Sequence, residues 1–404
     1  MQRLFFKKFM TSIIFIIMLL SFAFYNFKVS YSPILNTLKQ QKTSSTSLVN
    51  IIAAVEGTIN DNTAGKYKFI ELYGYIQKLM YKNEESNFEV VKDKNDFLHY
   101  TYFAEKPNPV YHLVERTKSL KAGLKDKRTK LIYMMPPDKY VEGYSKLPYG
   151  IPYSYSNETA DVFLNLLKKN NIDTIDLRKN LTKSGIENNQ LFFKTDHHWT
   201  IQTAFWEYTQ LVNTLKTKYK LNIDEDGFYT NKDNYNFITY KNAAIGSMAR
   251  KTGILYSGVD DFTLIYPKFA TNYSYYSKTG NQVTNLNGRF EEALLTIDPL
   301  RTNKDIYSLE ADKYSSYLFG NQGIVHVINK NNLNGPKVLF VKDSFTVPLA
   351  AFLSTVCSDV YLVDPRYYTG NIPNYINSVK TDFVFLSFYP QDLTKDFFKF
   401  YENK

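Results

Sequence analysis

The sequence is poor in cysteine, tryptophan and histidine. Its 404 residues include one cysteine, Cys357, which excludes an internal disulfide and a cysteine-based metal cluster. Tryptophan occurs twice and histidine five times, so histidine chemistry has few candidates. The chain also lacks an internal repeat and a concentrated basic motif. We therefore expect no nucleic-acid binding.

Hydrophobic residues make up 44% of the chain and charged residues 22%, proportions typical of a protein with a substantial core. Lysine and arginine outnumber the acidic residues, which gives a net charge of +10. The aromatic residues are almost all Tyr and Phe, with 34 and 30 copies. Abundant Tyr and Lys also occur in proteins from AT-rich bacterial genomes, so neither count identifies a partner.

The N-terminus combines basic residues with a long apolar run. Arg3, Lys7 and Lys8 precede residues 9–27, which are 19 residues without a charge. A helix of this length reaches about 28 Å, close to the hydrocarbon thickness of a bilayer. This pattern predicts a cytoplasmic N-terminus over 1–8, a transmembrane anchor over 9–27 and an extracytoplasmic remainder.

A cleaved signal peptide is the alternative, because Ser21-Phe22-Ala23 is a weak cleavage site. We favour the anchor, since the apolar run continues past that site, and either segment exports the rest of the chain. The exported part has 46 basic and 39 acidic residues, a surplus of +7. That surplus could favour an anionic wall polymer, and an ordinary solvated surface explains it equally well.

The exported part divides by composition into a stalk or linker over 28–60 and an α/β domain over 61–404. The Ser/Thr-rich patch 43–47, directly after Lys42, indicates that the stalk is flexible chain. Within the domain, short apolar runs alternate with stretches of helical periodicity, which predicts a mainly parallel sheet with helices on both faces. The segment 221–318 lacks this alternation, is rich in Asn, Asp and Tyr, and is predicted to be a large insertion. The predicted strands are 131–135, 172–177, 338–341, 360–363 and 383–386, and the predicted helices are 110–124, 158–167, 199–219 and 345–353.

Two of the five histidines are adjacent, in Asp196-His197-His198-Trp199. We expect this segment at the end of a strand, where open α/β sheets place their sites. An Asp two residues before a His can fix the imidazole tautomer of a general base. A metal site is an alternative reading of Asp-His-His, although no other motif supplies further ligands. A third alternative is that Thr195 or Asp196 caps the following helix.

The second chemical segment is Lys342-Asp343-Ser344-Phe345, directly after the predicted strand 338–341. A serine on a turn between a strand and a helix lies at the carboxyl edge of the sheet, near free N–H groups of the helix. Asp or Ser as a simple helix cap is the alternative. Together with Asp-x-His in the same domain, Ser344 completes a possible Ser-His-Asp set.

At these residues the sequence resembles the DHHW proteins, relatives of the SGNH-like O-acetyltransferases of alginate and other exopolysaccharide systems. The resemblance covers about 51–390 and rests on several separate blocks. These are 135–139, 193–200, 319–321, 339–345 and 363–368.

The resemblance implies an SGNH-hydrolase-like fold in permuted order. Ser344 would be the nucleophile, His198 the base and Asp196 its orienting acid. The backbone N–H groups of Ser344 and Phe345 would hold the developing oxyanion. Asn321, Arg366 and His197 would lie near the oxyanion or the substrate. Two departures from the family pattern are relevant: relatives often carry Thr at the position of His197, and Gly where this chain has Lys342.

The implied function is extracytoplasmic O-acetylation of a polysaccharide through an acetyl-serine, with no cofactor and no metal. An outer-face transferase has no acetyl-CoA, so a membrane-bound O-acyltransferase partner would supply the acyl group. A carbohydrate esterase with the same triad and a non-catalytic glycan-binding or assembly protein are the alternatives.

The tyrosines of the insertion suggest a sugar-binding face, because a flat aromatic ring can support a sugar ring. We predict that some of them line a groove near Ser344, with ordinary packing as the alternative. These tyrosines are Tyr229, Tyr235, Tyr240, Tyr256, Tyr266, Tyr273, Tyr275 and Tyr276.

Overall fold

The computed structural model describes residues 2–42, 48–85, 88–179, 181–296, 311–395 and 397–401. The chain divides into two compact units, Met1–Met80 and Tyr81–Lys404. The first unit is helical. The second contains all the strands that the structure describes and both of the segments predicted to carry the chemistry.

The first unit consists of helices α1 (Gln2–Lys42), α2 (Leu48–Asp61) and α3 (Lys66–Leu79). Its span Phe5–Lys39 is long and apolar enough to cross a membrane, and the most apolar window of that span is entirely unburied within the protein. The predicted anchor 9–27 lies inside this span. A hydrogen bond of 2.8 Å between the hydroxyls of Thr37 and Thr58 joins α1 to α2.

The stalk predicted over 28–60 is helical wherever the structure describes it, which corrects the expectation of flexible chain. That expectation came from the Ser/Thr-rich patch 43–47, which lies outside the described residues. The segments on either side contain several residues that favour helix, among them Leu, Lys, Gln and Ala.

The second unit contains each strand and helix predicted from its apolar runs, in the predicted order, together with further elements that were not predicted. In chain order they are β1 (Glu84–Glu85), β2 (Val90–Lys92), β3 (Leu98–Tyr100), α4 (Tyr111–Ala122), β4 (Lys130–Met135), α5 (Ser156–Lys169), β5 (Asp173–Asp176), α6 (Ile201–Thr217), β6 (Tyr235–Ala244), α7 (Ser247–Thr252), α8 (Ile254–Ser257), β7 (Asp260–Pro267), β8 (Tyr273–Thr279), β9 (Gln282–Gly288), α9 (Phe290–Ala293), β10 (Ile324–Asn329), β11 (Lys337–Lys342), α10 (Thr346–Leu353), β12 (Asp359–Val363), α11 (Ile372–Ser378) and β13 (Phe383–Ser387).

An eight-stranded sheet in the order β5-β4-β13-β11-β12-β10-β8-β9 organises this unit. The strands from β5 to β12 in that order are parallel, and the last three pair antiparallel. The mainly parallel sheet predicted from the sequence is therefore confirmed. All the parallel strands run their carboxyl ends to one edge, where open α/β sheets place their sites.

Alternate residues of the central strands enter two separate hydrophobic clusters. Val338 and Phe340 of β11 pack with residues of α6 and α10, whereas Leu339 and Val341 pack with residues of α4, α5 and α11. A strand buried on both faces has an unbroken apolar sequence, which explains why β11 could be predicted. The two clusters also confirm that helices cover both faces.

The segment 221–318, predicted as an insertion, is partly integral to the main sheet. Its strands β8 and β9 extend that sheet beyond β10, while β6 and β7 form a separate two-stranded sheet. Residues 297–310 of the segment lie outside the described residues. Strand β9 (Gln282–Gly288) has no buried residue and forms the sheet edge, so its sequence lacks the apolar run by which the central strands were recognised.

Candidate active site

Asp196, His197 and His198 lie in a tight loop before α6. An isolated bridge between Phe192 and Trp199 closes this loop. The segment was expected at the end of a sheet strand, and the structure corrects that position. Ser344, in contrast, directly follows β11 at the carboxyl edge of the sheet, as predicted.

A continuous chain of hydrogen bonds joins the two segments. His198 Nδ1 lies 2.5 Å from Asp196 Oδ1, and His198 Nε2 lies 2.6 Å from Ser344 Oγ. Ser344 and His198 are only 6% and 8% exposed, so these bonds are largely shielded from water. The three residues, separated by up to 148 positions in the sequence, therefore have the geometry of an acid, a base and a nucleophile.

Electrostatics fix the direction of these hydrogen bonds. Burial opposes the charged form of Asp196, but the two adjacent imidazoles and the bonds donated to the carboxylate hold its pKa well below the usual 3.8. An ionised carboxylate can only accept hydrogen bonds. A neutral His198 imidazole therefore carries its proton on Nδ1, which leaves Nε2 to accept from the Ser344 hydroxyl.

The backbone at Gly246 and Ser247 holds the other oxygen of Asp196. The Ser247 N–H donates to Asp196 Oδ2 over 2.6 Å, and the His198 N–H donates to Oδ1 over 3.0 Å. A side chain at Gly246 would place its Cβ 2.2 Å from the Asp196 Cβ. Glycine is needed at this position because the loop between β6 and α7 passes directly against the carboxylate.

Buried polar residues hold the backbone of this loop in place by hydrogen bonds. The Asp260 carboxylate accepts hydrogen bonds from the Lys194 N–H over 2.6 Å and from the hydroxyl of Thr195. The Lys139 ammonium group, 4% exposed, donates to the carbonyl oxygens of Lys194 and Asp196 over 2.9 and 2.7 Å. Sequence reasoning missed Asp260. It noted Lys139 only as part of the resemblance.

His197 lies beside His198 with their ring centroids 3.9 Å apart. Its Nδ1 is 3.3 Å from both Asp196 Oδ1 and Ser247 Oγ. Burial and the charge of His198 lower the pKa of His197 to about 3, so this imidazole is neutral near pH 7. The contact with Ser344 Oγ is made by His198, so the geometry favours His198 over His197 as the base.

Aromatic rings enclose His198. The Tyr314 ring stacks on the imidazole with a centroid distance of 3.9 Å and an interplanar angle of 15°. Trp199 Nε1 donates to the Tyr314 hydroxyl over 3.0 Å, and Phe345 packs against the imidazole at 5.1 Å. Sequence reasoning did not single out Tyr314, because it lies in the segment without recognisable periodicity.

Asp343 shapes the turn that carries Ser344. Its carboxylate accepts the Phe345 N–H over 2.9 Å and the Tyr389 N–H over 2.7 Å. The Phe345 N–H, expected to stabilise an oxyanion, is therefore already occupied. Within the part of the chain that the structure describes, the Ser344 N–H has no partner.

Lys342 explains the departure from glycine at this position. It is 1% exposed, and its Nζ donates to Asn321 Oδ1 over 2.7 Å and to Asp364 Oδ2 over 2.9 Å. Arg366 forms two hydrogen bonds with the same Asp364 carboxylate. Lys342 thus orients the Asn321 amide by holding its oxygen. The Arg366 guanidinium is hydrogen-bonded to Asp364.

The turn before Asn321 is conformationally unusual. Leu318, Phe319 and Gly320 have φ values of 47°, 59° and 73°. Left-handed conformations cost energy for residues with a side chain and concentrate at functional sites. This turn places Asn321 beside Lys342, two residues from Ser344.

The capping alternatives are not supported by the observed contacts. Thr200, rather than Thr195 or Asp196, caps α6 by accepting the Thr203 N–H. The Ser344 hydroxyl contacts His198 instead of a helix N–H. Asp196, His197 and His198 do offer three ligand atoms within 4.8 Å of one another. In the bonded arrangement, however, both ring nitrogens of His198 already have partners, and the absence of a metal remains a prediction.

The tyrosines predicted to line a groove are partly accounted for by packing. Tyr235, Tyr256, Tyr273 and Tyr275 are each no more than 3% exposed and belong to the hydrophobic clusters. Buried rings of this kind cannot line an open groove, so for these four the prediction is wrong. Among the described residues of the segment, the aromatic residue that contacts the site is Tyr314.

One protein-family model matches part of this chain. The family model described as the SGNH hydrolase-like domain of the acetyltransferase AlgX matches residues 90–235. This segment contains Asp196 and His198, and Ser344 lies beyond it. None of the curated proteins compared with this chain matches it.

Solved structures resemble the chain over a longer stretch. Bacillus cereus PatB1 with a sulfonyl adduct is 20% identical, with a TM-score of 0.59 over 78% of this chain and 100% of PatB1. A DHHW family protein from Eubacterium siraeum is 16% identical, with a TM-score of 0.57 over 78% of this chain and 95% of its own. The fold is SGNH-hydrolase-like, and the resemblance to DHHW and AlgX-like proteins is confirmed.

Replacing Gly246 with alanine tests the close approach to Asp196. The φ of Gly246 is −88°, which alanine adopts without strain, so the effect is steric. We expect the free energy of unfolding to fall by about 1–3 kcal/mol, as for an overpacked site. Urea denaturation of the full chain in detergent measures this.

Gly57→Ala is the matched control, because the added Cβ there meets nothing within 4 Å. Wild-type stability of Gly246→Ala would show that the loop is not held against the carboxylate.

Lys139 predicts a pH dependence of stability. Burial lowers the pKa of Lys139 to about 7 from 10.5, so between these values the folded chain binds fewer protons at this residue than the unfolded chain. The contribution of Lys139 to the free energy of unfolding therefore rises from pH 7 to pH 10. In Lys139→Met this contribution is absent, and the stability difference from wild type should widen over that range.

The exposed Lys94 provides the control, since Lys94→Met should differ from wild type by the same amount at each pH. A pH-independent difference for Lys139→Met would contradict the assignment.

Proposed function

We propose that this chain is an extracytoplasmic O-acetyltransferase that modifies a cell-surface or secreted polysaccharide through an acetyl-serine at Ser344. The observation that supports this most is the line of hydrogen bonds from Asp196 through His198 to Ser344. The match of residues 90–235 to the AlgX acetyltransferase domain supports the acyl chemistry. Neither a binding protein nor an assembly protein needs a buried serine aligned with a base.

In the first half-reaction His198 activates the nucleophile. Its Nε2 takes the proton from Ser344 Oγ as that oxygen attacks the acyl carbonyl carbon of the donor. The tetrahedral intermediate collapses, the bond to the donor's oxygen or sulfur breaks, and His198 returns the proton to that leaving atom. Asp196 stabilises the imidazolium that exists between these steps.

Two N–H groups are suited to hold the developing oxyanion. The Ser344 backbone N–H has no partner within the described residues, and the Asn321 Nδ2 lies opposite the oxygen that Lys342 holds. One preorganised donor of this kind typically contributes about 3 kcal/mol to transition-state stabilisation. Lys342 and Asp364 then act as positioning residues for Asn321.

In the second half-reaction a sugar hydroxyl replaces the donor. His198 Nε2 takes the hydroxyl proton as the sugar oxygen attacks the acetyl-serine, and Ser344 Oγ then regains the proton as the ester bond to it breaks. Water in place of the sugar would make the same site an esterase. Rings such as Tyr314 and Phe345 around His198 limit the entry of water.

The proposed location is a cell membrane, with the N-terminus cytoplasmic and the α/β domain outside. The span Phe5–Lys39 provides a single-pass anchor, and Arg3, Lys7 and Lys8 before the apolar run 9–27 set the orientation. Outside the cytoplasm the acyl group has to be delivered across the bilayer. A membrane-bound O-acyltransferase is therefore the proposed donor partner.

Ser344→Ala tests the nucleophile. We expect acetyl transfer from a chromogenic acetyl ester to oligosaccharides to fall by about 10³-fold or more, because the acyl group has no attachment point. Release of the chromophore and acetylation of the acceptor are both measured. The matched control is Ser358→Ala, a buried serine whose hydroxyl bonds Asp359 rather than His198. Transfer at the wild-type rate in Ser344→Ala would contradict the acetyl-serine mechanism.

Transfer is distinguished from hydrolysis by varying the acceptor. With a saturating oligosaccharide we expect acetylated sugar to exceed free acetate, because the sugar hydroxyl competes with water for one acetyl-serine. Product ratios are read by mass spectrometry. Free acetate alone, at every acceptor concentration, would instead identify an esterase.

A further inference from the structure

A cleft of about 700 Å³ opens beside the catalytic segments. It lies at the carboxyl ends of β4 and β5, between the loop after β4 and the start of α5. Met134 of β4 pairs with Ser387 of β13, which in turn pairs with Lys342 of β11. At about 4.8 Å per strand, the loops after β4 and β11 are about 10 Å apart along one sheet edge.

Contacts also link the cleft wall to the site. Asp138 lines the cleft, and the next residue, Lys139, bonds the Asp196 carbonyl. Burial raises the pKa of Tyr389, and the nearby charge of Asp138 adds to this effect. The Tyr389 ring stacks on the Phe345 ring with a centroid distance of 4.7 Å. An extended molecule in the cleft would therefore pass close to Ser344.

The cleft is acidic and aromatic. Five of its lining residues are acidic and two are basic, and one of the basic residues, Arg178, is already paired with Asp176 and Asp161. The acidic residues are Asp138, Glu142, Glu158, Asp161 and Asp176. The rings of Tyr140 and Tyr153 lie 5.0 Å apart on the same wall.

Asp138 supplies a second, independent observation. It is 3% exposed, and its Oδ1 accepts the Tyr140 N–H over 2.8 Å. Its Oδ2 has no hydrogen-bond partner among the described residues. An unsatisfied buried carboxylate oxygen is costly, so a group that donates to it would stabilise the cleft.

We propose that this cleft binds the acceptor glycan and selects one that carries free amino groups. Tyrosine rings stack on sugar rings, and the surplus of carboxylates attracts ammonium groups while repelling uronates and phosphates. The ammonium of an amino sugar is the donor that Asp138 lacks. The inference rests on the proposed function for the identity of the acceptor, while the binding itself is independent of Ser344.

The test is calorimetric titration of the full chain in detergent with three hexasaccharides: glucosamine, N-acetylglucosamine and a uronic acid. The titration is run at pH 6. EDTA is present to exclude bridging metal ions. We expect the glucosamine hexamer to bind at least ten-fold more tightly than the other two, with an affinity that falls as salt is raised.

Two variants locate the binding. Glu142→Gln, at an exposed position, and Asp138→Asn, at the buried one, should each weaken glucosamine-hexamer binding by about five- to ten-fold. Glu115→Gln removes the same charge from the exposed face of α4 and should leave the affinity unchanged. The proposal is overturned if the uronate hexamer binds as tightly as the glucosamine hexamer. It is also overturned if both cleft variants keep wild-type affinity, or if Glu115→Gln weakens binding equally.

Measuring binding and acetylation on the same chain separates this proposal from the proposed function, with Ser344→Ala as the inactive control. Tight, amine-dependent binding by a wild-type chain that acetylates no acceptor would support the cleft and reject the transferase. Ser344-dependent acetylation without preference for free amines would retain the transferase and reject the cleft.

Discussion

The Asp196 carboxylate is the group on which the candidate site depends. It accepts hydrogen bonds from His198 Nδ1, the His198 N–H and the Ser247 N–H. The adjacent histidines and these bonds outweigh burial and keep it ionised. Ionisation sets the tautomer of His198 and therefore the acceptor that faces Ser344. If the carboxylate were protonated or displaced, His198 and Ser344 would lose their alignment.

Much of the surrounding structure serves to hold that carboxylate in place. The loop before α7 lies against it at Gly246, while Asp260 and Lys139 anchor the backbone on either side. These anchors are buried polar groups, which are costly unless they are fully bonded. On the opposite side, Ser344 lies just beyond the carboxyl end of β11, a central strand of the sheet. The site is thus assembled from a rigid strand end and a heavily braced loop.

The sequence was sufficient to predict the central sheet, because strands such as β11 are unbroken apolar runs. It was also sufficient to single out the three aligned residues, because the chain has only five histidines and two of them are adjacent after Asp196. It was not sufficient for Gly246, Asp260 or Tyr314, whose roles depend on contacts between distant residues in a segment without periodicity. Strands β8 and β9 were missed because this segment lacks the apolar runs by which the central strands were recognised. Helix in 28–60 was missed because one short Ser/Thr-rich patch dominated the interpretation. Occupation of the Phe345 N–H by Asp343 is a local bond that only coordinates reveal.

The most direct measurement of the central claim is the site of acylation. The full chain in detergent is mixed with an activated acetyl ester, quenched in acid within seconds and analysed as an intact protein and as peptides by mass spectrometry. The account predicts one acetyl group, on Ser344, that disappears when an oligosaccharide acceptor is added before the quench. An acetyl group on another residue, or a chain that turns over the ester with no acetyl on Ser344, would contradict it.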